Sequence, residues 1–293
     1  VVVFDDLTGL VQGERDAAIA ELEETLEAEL PVEAAGRLRV ALARMLMATG
    51  NQVGARALVD EVLDEDSGQL EALKMKAAWL IEEDQGREAV SLLRTALDNS
   101  PDDVEALTLM AQAHARNGDR SLAREFLALA VEASNSAPEV SIRYANLLAS
   151  EERYLPAEEV LIDALRLAPG NLQLLSRLGE LYIAMEDWPR AEQVEDTLRR
   201  QETEAATRIA AGLQASRLAA QGNMDDAVAF LEQLASQGGG QDLAAEIAVV
   251  RARLAGGDTE GALNYLDDLL SENPENFTLR FVRATALSGV GRN

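Results

Sequence analysis

Five alanines, Ala55, Ala89, Ala123, Ala157 and Ala191, stand 34 residues apart each time, and apolar or small residues follow most of them four and seven positions later. A unit of that length has too little apolar surface to close a core alone, so it buries its face only by stacking on copies of itself. The period predicts a solenoid of helix pairs.

The clearest copy spans residues 104–137. Leu107, Met110, Ala111 and His114 recur at helical spacing, Asn117-Gly118-Asp119 reads as a turn, and Ala123, Leu127 and Ala130 make the apolar face of a second helix. The small Ala123 marks the point where the two backbones come close. Gly118 suits the left-handed residue that ends a helix, and Asp119 or Asn117 is expected to cap the amides that open the next one.

This grammar resembles the tetratricopeptide repeat. Residues 70–103 carry it in Leu73, Ala77, Leu80, Ala89, Leu93, Ala96 and Pro101, and 172–207 in Leu175, Leu178, Gly179, Tyr182 and Ala191. Residues 138–171 close with Ala157, Leu161, Ala164 and Pro169. Further copies fall at 36–69 (Gly50, Ala55, Val59), 208–242 (Gly222, Ala227, Leu231) and 243–276 (Gly257, Ala262, Leu266, Pro274). The resemblance implies an all-α fold, a right-handed superhelical solenoid of antiparallel helix pairs, running as one array through 1–293 with partial copies at 1–35 and 277–293. Residues 14–30 read as a second helix alone and 277–291 as a first helix alone, so the chain is expected to be a piece of a longer protein.

Three residues depart from the pattern. Arg39 and Glu246 stand where a large apolar residue is expected, and Glu195 interrupts a second helix. In the last full copy, Leu243, Ile247, Val250 and Leu254 make a better apolar face than the aligned positions do. Gly238-Gly239-Gly240 is the expected local break.

Composition excludes several function classes. With a net charge of −26 most of the surface would repel a phosphate backbone rather than displace its counterions, so no nucleic acid partner is expected. No run of 18 apolar residues spans a membrane, and Val1-Val2-Val3-Phe4 reads as an ordinary helix end. The absence of cysteine removes disulfides and thiol catalysis while leaving cytoplasm and periplasm both open. Two lysines against 24 arginines, in an alanine-rich chain, point to a bacterial source by association.

Catalysis finds little material, and no enzyme, cofactor or metal is expected. His114, the only histidine, occupies the place of Leu80 and Tyr182 in other copies and reads as a packing residue. Asp64-Glu65-Asp66-Ser67-Gly68 with Glu71 is too short for a calcium loop that supplies ligands at alternate positions over twelve residues. Trp79, Trp188, Tyr144, Tyr154 and Tyr182 are candidate interface anchors, of which most, Trp79 and Tyr182 among them, read better as packing, and Phe281 reads as exposed for want of a covering helix.

Charge is unevenly placed. The first-helix segments hold 14 basic and 9 acidic residues, whereas the rest of the chain holds 12 and 43. In repeats of this family the first helices line a concave groove, so the resemblance implies a neutral-to-basic groove in an acidic shell. Its expected peptide-binding residues are Arg37, Val40, Arg44, Lys74, Gln112, Arg116, Arg143, Asn146 and Arg177, with a protein or peptide partner bearing carboxylates. The competing reading is that these arginines pair with acids on adjacent second helices. The lysine-asparagine clamp for a C-terminal carboxylate is not expected, because Ala78 follows Lys74 where asparagine is wanted and only Asn146 matches. The function this implies is an interaction scaffold binding a protein segment. The alternative is a structural or assembly component of a bacterial envelope machine for polysaccharide export or secretion.

Overall fold

The computed structural model describes residues 12–237 and 243–289, which leaves Val1-Val2-Val3-Phe4 and Gly238-Gly239-Gly240 outside the described residues. Two compact units divide the chain, Val1–Leu147 and Leu148–Asn293, and each is described by itself.

In the N-terminal unit, helix α1 (Gln12–Leu26) is followed by the pairs α2 (Val32–Ala48) with α3 (Gln52–Glu65), α4 (Leu70–Glu82) with α5 (Gly86–Asn99), and α6 (Val104–Arg116) with α7 (Arg120–Ala133). Helix α8 (Pro138–Ser150) begins in this unit and ends in the next. The C-terminal unit continues with α9 (Tyr154–Leu167), the pairs α10 (Leu172–Ala184) with α11 (Trp188–Arg199), α12 (Glu204–Ala220) with α13 (Met224–Gln237), and α14 (Leu243–Ala255) with α15 (Thr259–Glu272), and then α16 (Phe277–Gly289). Even-numbered helices are the first helices of the repeats. Among the described residues no element is a strand, and α1 to α7 pack each on the next in chain order, as do α9 to α16.

The alanine period is a burial period. Ala55, Ala89, Ala157 and Ala191 are fully buried and Ala123 nearly so, and Ala227 and Ala262 extend the column. A methyl group at these places lets second-helix backbones approach first helices closely. Cores are correspondingly local: Leu73, Ala77, Leu93, Ala96 and Met110 close one layer, and Val40, Val59, Val62 and Trp79 another. Full burial of a side chain such as Leu93 or Leu161 contributes about 2 kcal/mol. In the C-terminal unit Gly179 plays the complementary part, because a Cβ there would stand 2.5 Å from Leu213 Cδ1.

Turns between paired helices follow one rule. Gly50, Gly118, Gly222 and Gly257 take positive φ, and so do Asp84, Glu152 and Glu186 at the equivalent places in the other repeats. Asp119 stands at the N-cap of α7, but its side chain makes no cap hydrogen bond there. The carboxylate instead faces His114 Nδ1 at 3.6 Å, which corrects the expected capping role. First helices are capped by Gln69, Asp103, Asn171 and Thr203. Helices α2 and α12 open four residues before positions 36 and 208, which gives each an extra N-terminal turn and 17 residues against the usual 13.

Candidate functional site

The first helices carry the expected binding residues, and their cations are mostly spoken for. Thirteen of the fourteen form an ion pair with a carboxylate. Several reach a second helix: Arg39 to Glu61 and Glu65, Lys76 to Asp60, Arg217 to Glu195, Arg253 to Glu232 and Arg283 to Asp267. Uneven placement of charge therefore has an internal use, holding acidic second helices against basic first helices. Among the described residues Arg251, exposed on α14, is the fourteenth cation and has no carboxylate partner.

In the N-terminal unit, Arg37 pairs with Glu33 of its own helix and Arg116 with Asp84 at a turn, both at the surface. Val40 is buried in the core and offers a ligand nothing. Arg44 meets Glu71, whose other oxygen takes Lys74 Nζ at 2.7 Å, and Lys74 also reaches Asp103 at 3.2 Å and Glu105 at 2.9 Å. These residues form one ion chain across α2, α4 and α6. Burial alone would lower the Lys74 pKa, but Glu105 and Glu71 outweigh it and raise the ammonium above its ordinary value. Asp103 serves twice, since its Oδ1 also accepts the Ala106 amide at 2.7 Å and caps α6.

Gln112 and Arg143 are brought together. They line a cavity of 410 Å³ between α6 and α8 with Val104, Glu105, Thr108, Leu109, Glu139 and Val140. Arg143 is held there by Glu139 at 2.9 Å, and Asn146 is exposed farther along α8. In the C-terminal unit Arg177 pairs with Glu180 on the surface of α10.

A second groove was not expected. Between α12 and α14 lie two cavities of 470 and 340 Å³ that share Gly212, Leu231, Ala244 and Ala248. Its origin is legible in alignment from the helix C-caps: ten residues before the cap stand Leu73, Leu107 and Leu175 in three first helices, but Ala211 in α12. A leucine shortened to alanine beside a bare Gly212 leaves the space open.

The groups weighed against a catalytic or metal-binding role are engaged in packing and ion pairs. His114 stacks on Phe126 with ring centroids 5.4 Å apart. Trp79 and Tyr182 are buried, and Phe281 is exposed. Glu65 and Glu71 are engaged by Arg39, Arg44 and Lys74, and among the described residues no three His, Cys, Asp or Glu side chains are grouped to hold a metal.

One tetratricopeptide repeat model matches residues 80–150 and 148–216, and a second matches residues 10–69. The chain belongs to the tetratricopeptide repeat family. A tetratricopeptide repeat protein from Parabacteroides merdae has a TM-score of 0.60 to it at 12% identity, covering 86% of this chain and 98% of its own. Yeast Tom70 gives 0.58 at 15% identity, over 94% of this chain and 58% of its own. At those identities the likeness is one of fold. No curated protein sequence matches. Tetratricopeptide repeats are generally protein-protein interaction modules and typically non-catalytic, and no described helix of this one is long and apolar enough to cross a membrane.

Proposed function

We propose that this tetratricopeptide repeat protein is a non-catalytic scaffold that holds a segment of a protein partner against its first helices. The observation that carries this reading is that each compact unit leaves a groove between consecutive first helices, α6 with α8 and α12 with α14, which its own side chains do not fill. Grooves of several hundred cubic ångströms, partly apolar and set on rigid helices, suit peptide recognition by many shallow contacts. Gln112 and Arg143 are the contacts assigned to the first groove.

Ion pairing changes what the partner is expected to supply. Arg37, Arg44, Arg116, Arg143 and Arg177 already hold carboxylates, so an acidic segment gains little there beyond what exposed pairs give, about 0–1 kcal/mol each, and the buried Lys74 is taken by Glu71, Asp103 and Glu105. Shape and apolar contact in the grooves carry the affinity.

Photo-cross-linkers placed at Gln112 and at Ser216 on the exposed rim of the second groove, with a control at Asp98 on the second helix α5, test the reading in native cells. Discrete partner adducts are expected from the two groove positions and not from the control. Adducts from Asp98 alone would move recognition to the second helices. Mass spectrometry of the adducts also separates a soluble partner from a component of an envelope assembly.

A further inference from the structure

We propose that the α12–α14 groove takes an apolar peptide segment of a partner protein that carries a carboxylate, with apolar side chains lying over Leu231 and the carboxylate on the Arg251 guanidinium. This rests on the scaffold reading and names the site and chemistry of the bound segment.

Three observations converge on it. The first is charge. On the first helices a cation without a carboxylate is the exception, and Arg251 is the one among the described residues in that state. Its neighbours three and four positions away, Ile247, Ala248, Leu254 and Ala255, are all apolar, so its own helix supplies no acid. Arg251 also lines the groove.

The second is the groove wall. Leu234, Met224 and Ile247, all half-buried, line the opening above the buried Leu231, and a concave apolar lining with one charged group suits a bound segment. Helix α14 runs 13 residues, roughly 20 Å at the helical rise. An extended segment of about six residues matches that length at the strand rise.

The third is Gly212. Glycine in a helix interior is destabilising by roughly 0.5–1 kcal/mol relative to alanine. At Gly179 close packing explains the glycine, but a Cβ at Gly212 would meet nothing within 4 Å. No contact inside the protein calls for a glycine there, whereas the close approach of a bound backbone does.

The test uses the full chain and three pools of fluorescein-labelled hexapeptides, apolar at five positions and bearing Asp, Asn or Lys at the sixth, read by anisotropy. The Asp pool is expected to bind at least about tenfold tighter than the Asn pool, the range of one charge-assisted hydrogen bond. Arg251→Ala is expected to erase that preference and Arg251→Glu to turn it toward the Lys pool. Gly212→Leu, which fills the groove and favours the helix, is expected to abolish binding of all pools with the helical circular dichroism retained. Pools with free and amidated C-termini distinguish a side-chain from a terminal carboxylate. Binding that survives both Gly212→Leu and Arg251→Ala would overturn this inference while leaving the scaffold reading intact. No binding of any pool would overturn the inference, and the groove cross-links at Gln112 then decide the scaffold reading by themselves.

Discussion

At the scale of residues, the positions that break the repeat pattern are the ones with partners. Arg39 pairs with Glu61 and Glu65, Glu246 accepts the Tyr265 hydroxyl, and Glu195 takes both Nε and Nη2 of Arg217 at 2.8 and 3.2 Å. A buried carboxylate stripped of its cation is expensive, so Arg217→Ala is expected to destabilise by about 3 kcal/mol, the low end for a broken buried pair because Arg199 still reaches Glu195. Urea denaturation checks this, and Glu195→Leu combined with Arg217→Leu should recover most of the loss. Tyr182 makes a pH prediction. Burial, and then the bond its hydroxyl donates to Glu158 at 3.0 Å, push its pKa up to about 12. Below the ordinary tyrosine value of about 10 both folded and unfolded chains keep the proton, so the contribution is fully present there. Between that value and the folded one only the folded chain keeps it, and stability falls as pH rises. Absorbance titration should show Tyr182 and Tyr265 both ionising late, with one tyrosine fewer in the late step of Tyr182→Phe.

Helix pairs are governed by two columns of small or left-handed residues. At the turn column, Glu152 and Glu186 hold φ of 59° and 57° where Gly50, Gly118, Gly222 and Gly257 sit in the equivalent turns. A side chain in that region costs about 1–2 kcal/mol, partly offset because glycine loses more entropy on folding. Glu186→Gly is therefore expected to stabilise by about 0.5–1 kcal/mol, read as a rise in the melting temperature. An unchanged or lower value would mean that the turn is not strained. At the buried column, Ala89→Leu puts three carbons where the residue is fully buried and is expected to cost about 1–3 kcal/mol or more. Circular dichroism and thermal melts separate that loss from unfolding of the whole chain.

Across the whole molecule, stability is distributed through local layers, since each core joins a helix pair to its neighbour. Leu127→Pro breaks α7 at its buried face and is expected to remove amide protection from α6 and α7 first, with protection in α14 and α15 retained. Hydrogen exchange with mass spectrometry reads this directly, and uniform loss along the chain would show a single cooperative block instead. The charge of −26 acts at the same scale: no duplex DNA binding is expected even at low salt, where non-specific binding is strongest. A mobility shift would contradict it.

The helix pairs, their turns and the alanine column were legible in the sequence, because periodic burial needs periodic residues and a left-handed turn favours glycine. Ala55, Ala89, Ala123, Ala157 and Ala191 sit at the buried crossings that the 34-residue spacing predicts. The charge count along first helices was legible as well, but not its meaning. Whether Arg44 faces a ligand or Glu71, 27 residues away, depends on how neighbouring first helices pack, and no local pattern encodes that distance. The α12–α14 groove had a faint signal in Ala211-Gly212 and in an Arg251 without acids at helical spacing. A missing side chain becomes a cavity only if its surroundings fail to close over it. Tertiary packing decided that, by bringing small residues of two helices to the same opening and leaving Leu231 at its base.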